Sequence, residues 1–163
     1  FIDTFSSEFH NILLYGDTGV GKTFLTHCIA KELMDHSYSV IYFSAAGLFD
    51  FLAKNTFGKR DEIDEDALSH ICSCDLLIID DLGTELANSF TVSQLFVILN
   101  ERLLRKEATI ISTNLSLEDI KAIYSERIFS RISSSYSMLR LTGDDIRIQK
   151  KLLNLGGTKD VTP

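Results

Sequence analysis

The sequence predicts an α/β domain built on one mostly parallel sheet. Five short runs are almost continuously apolar: NILLYG (11–16), SVIYFS (39–44), DLLIIDD (75–81), ATIISTN (108–114) and SMLRLTG (137–143). Runs of that kind read as strands buried on both faces of a sheet. Between them lie segments with apolar residues at helical spacing, and such alternation implies parallel strands with helices on both sides. The length, 163 residues with 45% apolar and 24% charged, suits one domain with a full core.

Taken in order, the start FIDTFSSEFH has no basic segment followed by an apolar one, so it is not a signal peptide. It also lacks an initiator methionine, and we expect a fragment whose N-terminal part has been removed. After the first strand comes GDTGVGKT (16–23), then a helix with Phe24, Leu25, Cys28, Ile29 and Leu33 on one face. The third strand ends in Asp80 and Asp81. A stripe of Val92, Leu95, Phe96, Leu99 and Leu103 marks a helix over 91–106. Asn114 ends the fourth strand, and a helix starts near Ser116. In SERIFSRISSS (125–135), Arg127 and Arg131 share one helix face, with Ile128 and Ile132 on a neighbouring stripe aimed at the core. The single proline is Pro163, and a loose tail is expected after Gly156.

The net charge is −7, unevenly spread. Residues 61–90 hold nine acids and no Lys or Arg, whereas 91–163 hold eleven Lys or Arg against eight acids. A protein gripping duplex DNA through phosphates alone would be basic, so any nucleic-acid contact is local, weak or shared between subunits. No apolar run approaches the length that spans a bilayer. Cys28, Cys72 and Cys74 lack zinc or disulfide-framework spacing; they read as buried small hydrophobes in a reducing compartment.

The glycine loop matches G-x-x-x-x-G-K-[ST] in full, between a strand and a helix. Successive backbone N–H groups of such a loop cradle phosphate oxygens, and the helix N-terminus adds positive potential. Gly16, Asp17, Thr18, Gly19, Val20, Gly21, Lys22 and Thr23 are therefore the candidate nucleotide site. Lys22 would reach the β- and γ-phosphates, and the Thr23 hydroxyl would ligate Mg²⁺. The competing reading is a glycine-rich turn that binds nothing. Two aspartates at a strand's carboxyl end lie where open α/β sheets bind ligands. Asp80 would hold the metal through water and Asp81 would orient or deprotonate an attacking water; alternatively both merely end the strand. Asn114 either holds that water or caps the next helix. Arg127 and Arg131 are either solvated or an arginine finger for a neighbouring subunit, and spacing alone favours solvation.

In this order, GDTGVGKT, LLIIDDLGTE, IISTN, ERIFSRI and LTGDDIRIQKK, the motifs resemble the AAA+ ATPase domain of DnaC/DnaI-type helicase loaders, from about Asn11 to Lys151. The resemblance implies a three-layer P-loop NTPase (AAA+) core over 1–156, strand order 5-1-4-3-2, no C-terminal helical lid and a tail at 157–163. It makes Asn114 the sensor, Arg131 the finger and Arg127 a second contact. It places extra helices in 46–72, where Phe49, Phe51 and Phe57, with Lys54, Lys59 and Arg60, are candidates to touch single-stranded DNA, against core packing for most of the aromatics. Implied cofactors are ATP and Mg²⁺. Implied partners are the hexameric replicative helicase (through a missing N-terminal region), single-stranded DNA, and further copies of the chain in the ATP state, in the cytoplasm and away from membranes. Many AAA+ proteins carry Glu where this chain has Asp81, which implies slow, partner-dependent hydrolysis. Glu85 is an alternative carboxylate, Arg147 a partial substitute for a lid arginine, and Phe1, Phe5 and Phe9 are adenine-pocket or core residues. The rivals are an IstB-type transposition helper, a P-loop small-molecule kinase, for which no arginine-rich lid is found over 40–110, and a module holding ATP only as a structural ligand.

Overall fold

In the computed structural model, which describes residues 1–58 and 66–148, the chain alternates strands and helices. They run β1 (Asn11–Gly16), α1 (Lys22–Asp35), β2 (Val40–Ser44), α2 (Ala45–Phe57), α3 (Ala67–Ser73), β3 (Leu76–Leu82), α4 (Ser89–Arg105), β4 (Ala108–Thr113), α5 (Leu117–Tyr124), α6 (Glu126–Ser135) and β5 (Tyr136–Leu141). The five strands form one sheet in the order β2-β3-β4-β1-β5. Every neighbouring pair is parallel, so the sheet is wholly rather than mostly parallel.

Side chains alternate between the faces of a strand, and here the alternation divides the core in two. Ile12, Leu14, Leu76, Ile78 and Ile110 pack with Ile29, Ala30 and Leu33 of α1, and with Phe1, Ile2, Phe5 and Tyr38 at the margin. Leu13, Leu77, Ile79 and Ile111 face the other way, onto α2 to α6. Phe1 and Phe5 are thus core residues, stacked edge-on toward each other and Tyr38.

Several expectations about faces are corrected. The edge strands are not buried on both sides: β2 is half-buried and exposed at its end, and most of β5 is exposed. An edge strand has one neighbour, so apolar composition alone does not bury it. On α1 the inward residues are Thr26, Ile29, Ala30 and Leu33; Phe24, Leu25 and Cys28 are exposed. The helix phase is set by Thr26, whose hydroxyl donates to Thr23 O at 2.9 Å and bonds the Tyr42 hydroxyl at 3.1 Å. On α4 Leu95 and Leu99 are buried as expected, but Ile98 and Arg102 join them, while Val92 and Phe96 are half-buried. Ile128 and Ile132 of α6 are buried as expected.

Among the described residues, two helices lie between β2 and β3. Phe49 is buried and Phe51 leans on Phe43, whereas Phe57 is exposed beside Phe90. Lys54 pairs with Asp50 on the surface of α2. Lys59, Arg60 and the tail at 157–163 lie outside the described residues.

Candidate functional site

The chain leaves β1 toward β2 on one side of the sheet and β4 toward β5 on the other. A crevice opens where connections diverge in this way, beyond the carboxyl ends of the strands. The glycine loop follows β1 there, Asn114 follows β4, and Asp80 and Asp81 sit beside them at the end of β3.

The loop is held tightly. Gly16 has φ +136°, and a Cβ on it would lie 2.0 Å from the carbonyl oxygen of Leu141. Gly19, at φ +82°, presses against the Asp145 carboxylate and accepts a 3.1 Å hydrogen bond on its carbonyl from Ile146 N–H. The turn after β5 is thereby clasped onto the loop. Gly21 caps α1 without any side-chain bond to the first-turn N–H groups, and that end therefore offers donors and positive potential to an anion.

Lys22 is buried, and its ammonium donates to Gly16 O at 2.8 Å and Asp17 O at 2.7 Å. Burial pulls the pKa of this ammonium below the ordinary lysine value, against the upward pull of Asp81, Asp17 and Asp80; Arg147 adds to the lowering. Thr23 Oγ1 donates to Asp80 Oδ1 at 3.3 Å. Asp80 is itself buried and accepts a very short hydrogen bond on the same oxygen from Ser112 Oγ.

Asp81 occupies the left-handed region at φ +55°. It does so because the β3–β4 register slips there: Ile79 pairs with Ile111, but Leu82 pairs with Thr113. One extra residue on β3 makes a bulge, which re-aims a side chain at the end of a ladder. Asp81 N–H donates to Ser112 Oγ at 2.9 Å, and Thr113 Oγ1 donates to Leu82 O at 2.6 Å beyond the bulge.

A cavity of about 600 Å³ opens here, lined by Thr18, Gly19, Gly21, Lys22, Thr23 and Asp81 together with Phe24, His27, Asn114, Ile146 and Arg147. Asn114 does not cap the next helix; Ser116 does, through a capping box with Asp119. Arg147 does face the loop. Glu85 does not, since its carboxylate accepts from Gly83 N–H at 3.0 Å and from the Tyr124 hydroxyl. Phe9 lines a different cavity, with Arg131 and Ser134.

Arg127 and Arg131 are not brought to the loop. They line a separate groove of about 870 Å³ on α6. Arg127 is exposed, while Arg131 is half-buried with its guanidinium 5.6 Å from the centre of the Phe96 ring.

Sequence reasoning did not assign to the site three residues that line the cavity, Phe24, His27 and Ile146, nor Ser112, which bonds both aspartates. His27 stacks on Tyr42 at 4.5 Å and bonds Thr23 O at 2.8 Å through Nδ1. Its place four residues after Thr23, on the same helix face, was the available signal. Ser112 gave none, because a serine inside an apolar strand reads as filler until the register is known.

This strand order and loop define a P-loop nucleotide-binding domain of the AAA+ kind. The chain belongs to the IstB-like ATP-binding protein family, whose model matches residues 3–154. It is 25% identical over 138 residues to the replicative helicase loader DnaC of Escherichia coli (strain K12), covering 85% of this chain and 56% of that protein. It is 26% identical over 151 residues to the replicative helicase loader DnaI of Bacillus subtilis (strain 168), covering 83% and 47%. The fold matches AMPPCP-bound DnaA from Aquifex aeolicus with TM-score 0.76 at 22% identity, over 94% of this chain and 49% of that one. The chain thus spans about half the length of the curated relatives it matches.

Proposed function

We propose that this chain is the ATP-binding and ATP-hydrolysing core of a replicative helicase loader, which delivers the hexameric helicase to single-stranded DNA under nucleotide control. The observation that carries the nucleotide half is the buried Lys22 ammonium held by two loop carbonyls beside the Thr23–Asp80 pair. The loader half rests on the helicase-loader relatives.

ATP would lie along the loop N–H groups, and Lys22 would exchange its carbonyl partners for β- and γ-phosphate oxygens. The donors near Thr23 suit magnesium: a hydroxyl and a carboxylate are hard oxygens, and Mg²⁺ uses few protein ligands, with phosphates and water supplying the rest. Bound there, the ion would offset phosphate charge. Asp81 would orient the attacking water or take its proton; the water oxygen would bond the γ-phosphorus as the bond from that phosphorus to the bridging oxygen breaks, and ADP and phosphate would leave while the proton passes to phosphate or solvent. Asn114 would hold the water or the γ-phosphate. Arg127 and Arg131, remote from their own loop, would serve the site of a second copy. Arg127 is the one with an exposed head; Arg131 would brace α6 on Phe96 as well.

Lys22→Ala should abolish ATP binding in a filter assay, and unchanged affinity would defeat the nucleotide reading. Arg127→Ala and Arg131→Ala should each leave ATP binding intact yet slow hydrolysis in concentrated protein. An ATPase rate independent of wild-type concentration would argue against a shared site. For the loader reading, the full-length protein should co-elute with the host's replicative helicase in ATP on size exclusion. The IstB-like family match favours a second reading, a helper of a transposase; co-elution with the transposase instead would select it.

A further inference from the structure

We infer that Ser112 is a positioning residue that sets both aspartates of the site through one hydroxyl, and thereby governs how magnesium is held with the nucleotide. The inference rests on the nucleotide reading above.

Ser112 is wholly buried in β4, where a hydroxyl without partners is costly. Its proton goes to Asp80 Oδ1. Its lone pair receives Asp81 N–H at 2.9 Å. That N–H lies within the β3 bulge, where the ladder skips from Ile79 to Leu82. The serine hydroxyl therefore takes the place of a strand carbonyl and supports Asp81 in its left-handed conformation at φ +55°, a conformation that a non-glycine residue keeps only when its surroundings enforce it.

The same hydroxyl fixes the rotation of the Asp80 carboxylate. Oδ1 takes bonds from both Ser112 and Thr23. The Ser112 bond remains when Thr23 turns to a metal, so the carboxylate keeps its anchor while it meets the ion. The buried serine thus links a carboxylate that would hold the ion and a carboxylate that would orient water, two roles that sequence assigns to neighbouring residues but cannot join.

Outer partners of this kind typically change metal affinity or activity by about 10–100-fold when removed. Ser112→Ala should therefore bind a fluorescent ATP analogue in EDTA within about twofold of wild type, while losing about tenfold of the gain that Mg²⁺ confers. Half-saturation by Mg²⁺ should rise in parallel, read by titrating Mg²⁺ at fixed nucleotide. Ser112→Cys, close in size with a weaker donor, should fall between the two and serves if the alanine variant does not fold. A Mg²⁺ gain equal to wild type in either variant, or equal losses in EDTA and Mg²⁺, would overturn the inference, the second by showing a merely structural serine. Wild-type protein that binds no nucleotide in either buffer would instead overturn the reading on which it rests, and Lys22→Ala, expected to lose binding in both, separates the two failures.

Discussion

The two ends of the sheet each bury a cation, and they treat it differently. At the amino end, Arg102 of α4 is fully buried. It donates to Thr109 Oγ1 at 3.0 Å, Ile71 O at 2.7 Å, Ala108 O at 2.6 Å and Cys74 Sγ at 3.3 Å. Beside it Asn11 joins β1 to β4 and to the end of α6, accepting from Thr109 N–H at 2.7 Å and donating to Ser135 O at 3.2 Å. At the carboxyl end, Lys22 holds only two carbonyls of its own loop. Those partners are exchangeable: a phosphate is a better acceptor for an ammonium than a neutral carbonyl. Arg102 has partners from three elements and no open space, so it fastens structure. Lys22 borders a cavity of about 600 Å³ and holds only carbonyls of its own loop, so under the proposed function it is the cation that would wait for a ligand.

The sharpest way to break this comparison is to remove the amino-end cation. Arg102→Met should destabilise the fold by about 4 kcal/mol, because several buried acceptors lose their donor at about 1–3 kcal/mol each. Denaturant unfolding measures it. The folded fraction should still bind ATP with wild-type affinity. Lys22→Ala should show the reverse pattern, with binding lost and unfolding little changed. If Arg102→Met were neutral in stability, or Lys22→Ala unfolded the chain, the division between fastening and waiting charges would fail.

Next comes a pH effect. Lys22 has its pKa lowered chiefly by burial, and a bound triphosphate would favour the charged ammonium and raise it again. Affinity for ATP should then be greatest at neutral pH and fall as pH rises through the free-state pKa, starting below the range of an ordinary lysine. Proton uptake on binding should appear in that same window by calorimetry in buffers of different ionisation enthalpy. A flat affinity up to the ordinary lysine range would mean that the ammonium never meets the phosphates.

Much of this was legible beforehand because local pattern and chemistry coincide. GDTGVGKT announces its turn, its donors and its helix within eight letters. The two aspartates of LLIIDD stand where any parallel sheet would present them. The Arg102 cluster was hidden, since its acceptors come from α3, β4 and the α3–β3 turn, and an arginine on a helix reads as solvated. Ser112 was hidden for the same reason: its role exists only through the register slip between β3 and β4. The misjudged face of α1 has another source, since Thr26 is buried by hydroxyl partners that hydropathy ignores. Asn114 could be cap or ligand on spacing; the Ser116 capping box takes the cap.

The smallest effect concerns Glu85, which sequence offered as a stand-in for the glutamate that Asp81 replaces. By the criterion that separates Arg102 from Lys22, Glu85 belongs with the fasteners: both of its oxygens are engaged, one by Gly83 N–H and one by the buried Tyr124 hydroxyl. Burial, with this carboxylate alongside, drives the Tyr124 pKa far above its ordinary value, so the phenol stays a donor at all working pH. Tyr124→Phe should cost about 2 kcal/mol, the worth of one hydrogen bond to a charged group. Glu85→Gln should leave ATP turnover within about twofold, whereas loss of a general base lowers rates by about 10²–10⁴-fold. A fall of that second size in Glu85→Gln would move this carboxylate to the waiting side, and with it the assignment of the attacking water to Asp81.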